Sequence, residues 1–281
     1  MLLAAYEGTP FLEEQFSTIF GQLAVDVDVY ISIDLSVDGT EELVRKIQIS
    51  NPSIFIVSSG QRFGSAAKNF YHLINTVDVT KYDYVAFADQ DDIWLPDKLS
   101  SAASSLLRNK VAGFSSDVYA FWPNRFTFSL LKKSLPTTGL DHFYESPGPG
   151  CSQVFTSASF QDFQDFYAIN KARLIDFDYH DWLIYVFYKE ANLGWVISDN
   201  PRMLYVQHDG NQIGSNSGLS GFCKRLKIVK SKWYHSQVAI LAKTFNRPEV
   251  LSRSFLIRNM LRLRRSKISS FAVLIVLFFG Y

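Results

Sequence analysis

The sequence predicts an α/β fold, a mostly parallel sheet with helices packed on both faces. Short apolar runs recur through the first hundred residues, and segments of helical period separate them. The 281 residues are 47% apolar and 20% charged, enough for a sizeable core and incompatible with wholesale disorder. Aromatic residues make up 15%, which suits ring-stacking surfaces and a membrane-leaning core equally.

Leu2–Tyr6 is a brief apolar run closed by Glu7-Gly8-Thr9-Pro10. Phe11–Gln22 places Phe11, Leu12, Phe16, Ile19 and Phe20 at helical spacing. Val27, Val29, Ile31 and Ile33 then alternate with Asp28, Tyr30, Ser32 and Asp34, the period of a strand. Asp38-Gly39-Thr40-Glu41 reads as a helix start, with Leu43, Val44 and Ile47 as the apolar face. Ile54–Val57 is the next strand, and Gly64–Val77 a helix that buries Ala67, Phe70, Leu73, Ile74 and Val77. Tyr84–Ala88 is a buried strand running into Asp89-Gln90-Asp91-Asp92, and Trp94–Lys98 opens a further helix.

Residues 111–179 are less regular. Within them Ser146-Pro147-Gly148-Pro149-Gly150-Cys151 is a loop whose backbone can approach a ligand closely. Asp181–Ala191 reads as a helix, Leu193–Ser198 and Met203–His208 as strands, and residues 209–220, rich in Gly, Ser and Asn, as a loop. The organisation expected is one domain over 1–215 and a basic, partly apolar helical tail over 216–281.

Charge is segregated along the chain. From Lys224 to Lys267 there are 13 Lys and Arg against Glu249 alone, leaving 15 basic and 26 acidic residues elsewhere. A basic tail on an acidic body points to an anionic partner, nucleic acid or a membrane surface, unless the tail packs on the body with its charges matched. Arg225, Lys227, Lys230 and Lys232 sit among Leu226, Ile228, Val229, Trp233 and Tyr234, a mixture suited to an interfacial helix. Ile268–Phe279 is an apolar run shorter than the roughly 20 residues that span a bilayer. The start lacks the basic flank and length of a secretory leader. Cys151 and Cys223 have no metal-type spacing and read as small buried side chains in a reducing compartment.

In a sheet of this kind ligands bind beyond the carboxyl ends of the strands. That places Ala5-Tyr6-Glu7, Asp34 and Asp89–Asp92 along one rim. Three crowded carboxylates repel one another unless cations offset them, and a hard divalent ion takes such oxygens together with substrate phosphates. A solvated turn capping the next helix is the alternative for such a cluster.

Ala88-Asp89-Gln90-Asp91-Asp92-Ile93-Trp94-Leu95-Pro96-Asp97-Lys98-Leu99 resembles the metal-binding segment of glycosyltransferase family 2, closest to its bacterial rhamnosyltransferase-like members. Four further segments agree in order: Leu2–Gly8 with Phe11–Gln15; Ile31–Thr40; Gly64 with Asn69-Phe70; and His180-Asp181-Trp182, followed by Tyr205–His208 with Asn211 and Gly214. The resemblance covers roughly residues 1–215 and implies a GT-A fold. Its nucleotide-binding half would span about 1–110 and its acceptor half about 111–215. The second strand departs from the family pattern, because a lone Asp34 stands between Ile33 and Leu35 where paired acids and a glycine are usual.

The resemblance implies a nucleotide-diphosphate sugar donor, inversion at the anomeric carbon, and Mg²⁺ or Mn²⁺ on the diphosphate. It makes Asp91, Asp89 and His208 the metal-side residues, and Ala5, Tyr6, Glu7, Asp34, Asn69 and Asp89 the donor side. Asp181 becomes the base that deprotonates the acceptor, where by itself it reads as a helix cap. Gly150, His180 and Trp182 fall on the acceptor side. dTDP-rhamnose is the first expectation for the donor, with UDP-galactose and UDP-glucose open. The acceptor expected is a saccharide or lipid-linked intermediate, met by a cytoplasmic enzyme at the inner face of the plasma membrane. Two rival readings stand beside it. A nucleic-acid-binding protein would use the basic tail but leave the strand-end acids unexplained, since they repel phosphate; an inactive homologue would bind a partner instead.

Overall fold

The computed structural model describes residues 1–208 and 232–279. In it β1 (Leu2–Ala5), β2 (Val29–Asp34), β3 (Ile54–Gln61) and β4 (Tyr84–Ala88) alternate with α1 (Leu12–Phe20), α2 (Thr40–Ser50) and α3 (Ala66–Thr76). Each element lies within a few residues of its predicted place, and β4 spans the predicted residues. α3 begins one residue after Ser65, whose hydroxyl accepts from the Lys68 amide and caps the helix. At α2 the cap position is Gly39, at φ +87°, and Asp38 accepts from the Thr40 amide beside it.

A seven-stranded sheet gathers these with β6 (Gly113–Ser116), β9 (Val154–Thr156) and β10 (Trp195–Ser198) in the order β10-β6-β9-β4-β1-β2-β3. The pairs β4-β1, β1-β2, β2-β3 and β10-β6 are parallel, whereas β9 runs antiparallel to both its neighbours. Because β4, β1 and β2 are adjacent and parallel, Asp89, Tyr6 and Asp34 leave the sheet side by side. That is the rim expected from topology.

A second sheet, in the order β5-β11-β7-β8, combines β5 (Ile93–Trp94), β7 (Val118–Trp122), β8 (Thr127–Leu131) and β11 (Met203–Val206). The stretch 111–179, expected to be irregular, therefore holds four strands and also the 18-residue helix α5 (Ser157–Leu174). β7 and β8 form an edge hairpin whose Tyr119, Phe128 and Leu130 remain exposed, so the apolar/polar alternation that reveals a half-buried strand is weak there. In α5, Phe160, Phe163, Tyr167 and Leu174 are buried while Ile169 is exposed, which blurs its apolar stripe.

The larger core lies between the sheet and α3, α5 and α6 (His180–Glu190). Residues 182–188 of α6 are all buried, as for a helix enclosed on every side. α4 (Lys98–Asn109) covers the β6 side through Ala102 and Leu106.

The C-terminal elements are α7 (Trp233–Thr244), α8 (Arg253–Arg258) and α9 (Lys267–Phe279). These helices and the turns between them bury Val238, Leu241, Val250, Leu256, Leu263, Val273 and Leu277 in the same core as Phe143 and Phe163. Several basic residues of this segment are matched on the acidic body. Arg265 Nη1 donates to Asp141 Oδ2 at 2.8 Å and Nη2 to the Ser146 carbonyl at 2.7 Å. Arg247 reaches Glu190 at 2.8 Å, and Arg264 reaches Glu145 at 3.3 Å. The Gly/Ser/Asn-rich loop, Asn211, Gly214, Cys223, Arg225, Lys227 and Lys230 lie outside the described residues.

Burial pushes the Asp141 carboxyl up, but the Arg265 charge together with hydrogen bonds from Arg265, Thr138 and Tyr185 outweighs it and holds the group below the usual carboxylate range. Both side chains are almost wholly buried, at 2% and 0% exposure. Removing one partner strands the other charge without water. Arg265→Ala is expected to lower stability by about 3–5 kcal/mol, read by urea unfolding. A loss below about 1 kcal/mol, the size of a surface pair, would refute this.

Candidate active site

The rim opens onto a cavity of about 790 Å³. Its wall includes Ala5, Tyr6, Asp34, Asn69, Asp89 and Asp91 from the strand ends, Gly150, His180, Asp181 and Trp182 from the facing side, and His208. Glu7, expected on the donor side, does not line it. Its backbone is left-handed, at φ +47°, and its amide donates to Ser36 Oγ at 3.0 Å, so the chain turns away from the cavity there.

The strand ends are tied together by side-chain to backbone hydrogen bonds. Gln90 grips the Tyr6 backbone from both sides: its Oε1 accepts from the Tyr6 amide at 2.7 Å, and its Nε2 donates to the Tyr6 carbonyl at 2.8 Å. This residue sits inside the acidic cluster but serves as a splint, a role its sequence position did not reveal. Asn69, expected to contact the donor, is buried, with Nδ2 donating to the carbonyls of Ser32 at 3.0 Å and Ala5 at 3.4 Å. Asp34 accepts from the amides of Leu35 at 2.8 Å, Phe63 at 2.9 Å and Gly64 at 2.9 Å. Gly64 has φ +81°, which a residue without Cβ adopts freely. The lone Asp34 thus shapes the loop leading into α3 and still lines the cavity.

The three carboxylates of the cluster face different ways. Asp91 Oδ2 lies 2.7 Å from His208 Nε2, and the His208 ring stacks on Phe11 at 4.5 Å. Strand β11, paired antiparallel with β5, delivers His208 to that place. Burial raises Asp91, and the His208 hydrogen bond offsets part of the rise. Asp89 is pushed up to about 7, first by burial and then by the charge of Asp91. Asp92 points inward, at 1% exposure, where its amide donates to Gln15 Oε1 and its Oδ1 accepts from the Val206 amide. Burial and the two neighbouring acids raise it well above the carboxylate range.

Cys151 is buried, as expected, yet it is more than apolar filling. Its thiol interacts with both Asp89 and Asp92, and burial keeps it protonated. The ligand atoms of Asp89, Asp92 and Cys151 lie within 4.8 Å of one another. Asp89, Asp91 and His208 do not gather that tightly among the described residues. Since the Cys151 thiol is buried and Asp92 is turned inward, the side chains left facing the cavity that could hold a metal are Asp91 and His208, flanked by Asp89. Carboxylate oxygens with one imidazole nitrogen, and no cationic side chain paired to Asp89 among the described residues, fit a hard divalent ion that completes its shell from a diphosphate.

Across the cavity, Asp181 lies in the first turn of α6 and accepts from Ser146 Oγ at 2.8 Å. Burial raises its carboxyl, against the Ser146 hydrogen bond and the charge of Lys133. Gly150 makes the space for this corner: a Cβ there would lie 2.8 Å from His180 Nε2. His180 and Trp182 turn toward the core. His180 stacks on Phe70 at 3.9 Å, and Trp182 donates to the His142 carbonyl at 2.7 Å. Arg62, Lys133, Tyr205, Trp233, Tyr234 and Arg264 also line the cavity. The last three come from the segment expected to form a tail, and no sequence signal marked them as part of a site.

Parallel strand ends carrying an acidic cluster above a cavity are the arrangement implied by the resemblance to nucleotide-sugar transferases of GT-A type. In fold the chain is similar to TarS 1–349 of S. aureus in complex with UDP-GlcNAc (TM-score 0.55, 15% identity), over 98% of this chain and 80% of that one. It is also similar to the mannosyltransferase PcManGT from Pyrobaculum calidifontis in complex with GDP-Man and Mn²⁺ (TM-score 0.50, 15% identity), over 97% of this chain and 73% of that one. The sequence profile of glycosyl transferase family 2 matches residues 2–166, and the chain belongs to that family. A relative is the dTDP-rhamnosyl transferase RfbG of Shigella flexneri, 41% identical over 241 residues, which are 85% of this chain and 83% of RfbG. The chain is accordingly a glycosyltransferase of the bacterial rhamnosyltransferase-like kind.

Burial lowers His180 from 6.5 to about 3. The unfolded histidine takes up a proton below about 6.5 and the folded one only near 3, so stability drains as pH falls through that window. Between pH 7 and pH 5 the wild type should lose about 2 kcal/mol more than His180→Leu, whatever the variant's starting stability. Parallel pH dependences in urea unfolding would show that His180 is not buried neutral.

Proposed function

We propose that this chain transfers rhamnose from dTDP-rhamnose, with inversion, to a saccharide or lipid-linked acceptor in cell-surface polysaccharide synthesis. The 41% identity to RfbG across most of both chains carries this reading. Residues of about 1–110 hold the donor and residues of about 111–215 the acceptor. Tyr6, whose ring is half exposed at the rim, faces the base, and Asp34 frames the same pocket. Glu7 drops out as a donor contact, and Asn69 acts by holding the ends of β1 and β2 together.

Mg²⁺ or Mn²⁺ held by Asp91 and His208, with Asp89 beside them, would neutralise the charge that builds on the departing diphosphate. Asp181 takes the proton of the acceptor hydroxyl as that oxygen bonds to the anomeric carbon and the bond to the diphosphate breaks. Its raised proton affinity suits it to this, since a base works best when its pKa approaches the working pH. Ser146 holds the carboxylate in one orientation.

Two substitutions separate these roles. Asp91→Asn is expected to abolish the additional stabilisation that Mn²⁺ gives with dTDP-rhamnose in thermal unfolding. Asp181→Asn should keep that stabilisation and lose turnover by roughly a hundredfold or more. Unchanged turnover in the second variant would place the base elsewhere.

The acceptor side also favours contact with a membrane surface. No helix among the described residues is long and apolar enough to cross a bilayer. α9 nevertheless exposes Ile268, Phe271 and Ile275, and neither Arg258 nor Lys267 makes an ion pair among the described residues. Exposed apolar side chains and nearby cations together bind anionic interfaces. The enzyme should float with vesicles rich in phosphatidylglycerol and not with phosphatidylcholine alone, and Phe271→Asp with Ile275→Asp should weaken flotation severalfold. Equal flotation of wild type and double variant would count against α9 as the contact.

A further inference from the structure

Beside Asp181 the cavity wall is aromatic and acidic in a way that donor chemistry does not use. Tyr179 precedes α6, two residues before Asp181. Its ring meets that of Trp233 edge-on, with centroids 5.4 Å apart. Trp233 Nε1 donates to Asp178 Oδ2 at 2.6 Å, which locks the indole against the loop carrying Asp178 and Tyr179. Behind them Trp182 and Tyr234 stack at 5.9 Å, and the Tyr234 hydroxyl donates to the Tyr144 carbonyl at 2.5 Å, so the shelf rests on a rigid support. Tyr179 and Trp233 are half-buried and Asp178 is exposed, and all three line the cavity.

A pyranose ring has an apolar face of C–H groups and an equator of hydroxyls. An indole or phenol ring packs against the first, at little entropic cost because its orientation is already fixed. A carboxylate at the edge of that ring accepts from the second. We propose that Tyr179, Trp233 and Asp178 form a subsite for a sugar ring of the acceptor and deliver one of its hydroxyls to Asp181. The inference rests on the reading of Asp181 as the base. His180 and Trp182, which the sequence placed on the acceptor side, are turned into the core, and the surface offered to the acceptor belongs to their neighbours. All three subsite residues, like Asp181, lie beyond residues 2–166 matched by the family profile.

Saturation-transfer NMR on the full chain, with the methyl pyranosides of rhamnose, glucose, galactose and N-acetylglucosamine as probes, tests the subsite. At least one probe should show saturable transfer concentrated on the C–H protons of one ring face. Trp233→Ala should weaken that probe about tenfold or more, and Trp233→Tyr, which keeps a ring, should recover most of the loss. If Trp233→Ala no longer unfolds cooperatively, Asp178→Ala on the exposed edge carries the comparison, with weakened binding again expected. Absence of saturable transfer from all four probes, or wild-type binding in the variants, overturns the proposal. Stabilisation of the wild type by dTDP-rhamnose is measured alongside. Its failure would sink the donor reading, whereas donor binding without sugar binding sinks the subsite alone.

Discussion

Three carboxylates within four residues, at the end of a strand with a buried apolar run behind it, cannot all be charged and unpaired. Their mutual repulsion in a poorly hydrated place costs several kcal/mol. The surrounding structure meets that constraint by giving each acid a different environment. Asp92 goes inward to a backbone amide, where burial raises its proton affinity, Asp91 goes to His208, and Asp89 is left beside the Cys151 thiol with a proton affinity near neutrality. Only the last two face the cavity. Charge density is therefore kept where a cation and a diphosphate can share it and removed where neither reaches.

That arrangement explains the second sheet. β11 pairs antiparallel with β5 directly after the acidic cluster, and the same pairing sets the Val206 amide on Asp92 and carries His208 to Asp91. The parallel sheet alone supplies acids at its rim. The small sheet adds the imidazole and the inner partner, and its register fixes both at once. A slip of one residue in β11 would exchange inward and outward side chains and undo both contacts.

Much of this was legible in the sequence, and the limits have physical causes. Alternating Val29, Ile31 and Ile33 and the helical spacing of Phe70, Leu73 and Ile74 report burial directly, so the first half of the sheet and its rim followed from period alone. α5 and the β7-β8 hairpin did not, because Ile169, Tyr119, Phe128 and Leu130 are apolar residues left in solvent. Within the site, the residue types that carry chemistry could be listed, but not the direction in which each points. Asn69 and Gln90 hold backbone, His180 is packed between Phe70 and Phe87, and Glu7 leaves the cavity on a left-handed turn. These outcomes depend on partners 29 to 110 residues distant, which no local pattern encodes.

The segregation of charge shows the same limit. A basic tail on an acidic body first suggests an external anion, and the alternative was a tail packed on its own body. In the structure Arg247, Arg264 and Arg265 are taken up by Glu190, Glu145 and Asp141, so part of the imbalance is a fold-internal match. The match has a consequence for the site. Arg265 also donates to the carbonyl of Ser146, the residue whose hydroxyl orients Asp181. The buried ion pair thereby anchors the loop that holds Asp181, while Trp233 and Arg264 close the cavity beside it. A segment that reads as an appendage is thus part of the wall against which an acceptor would be placed. Arg258 and Lys267, by contrast, make no ion pair among the described residues.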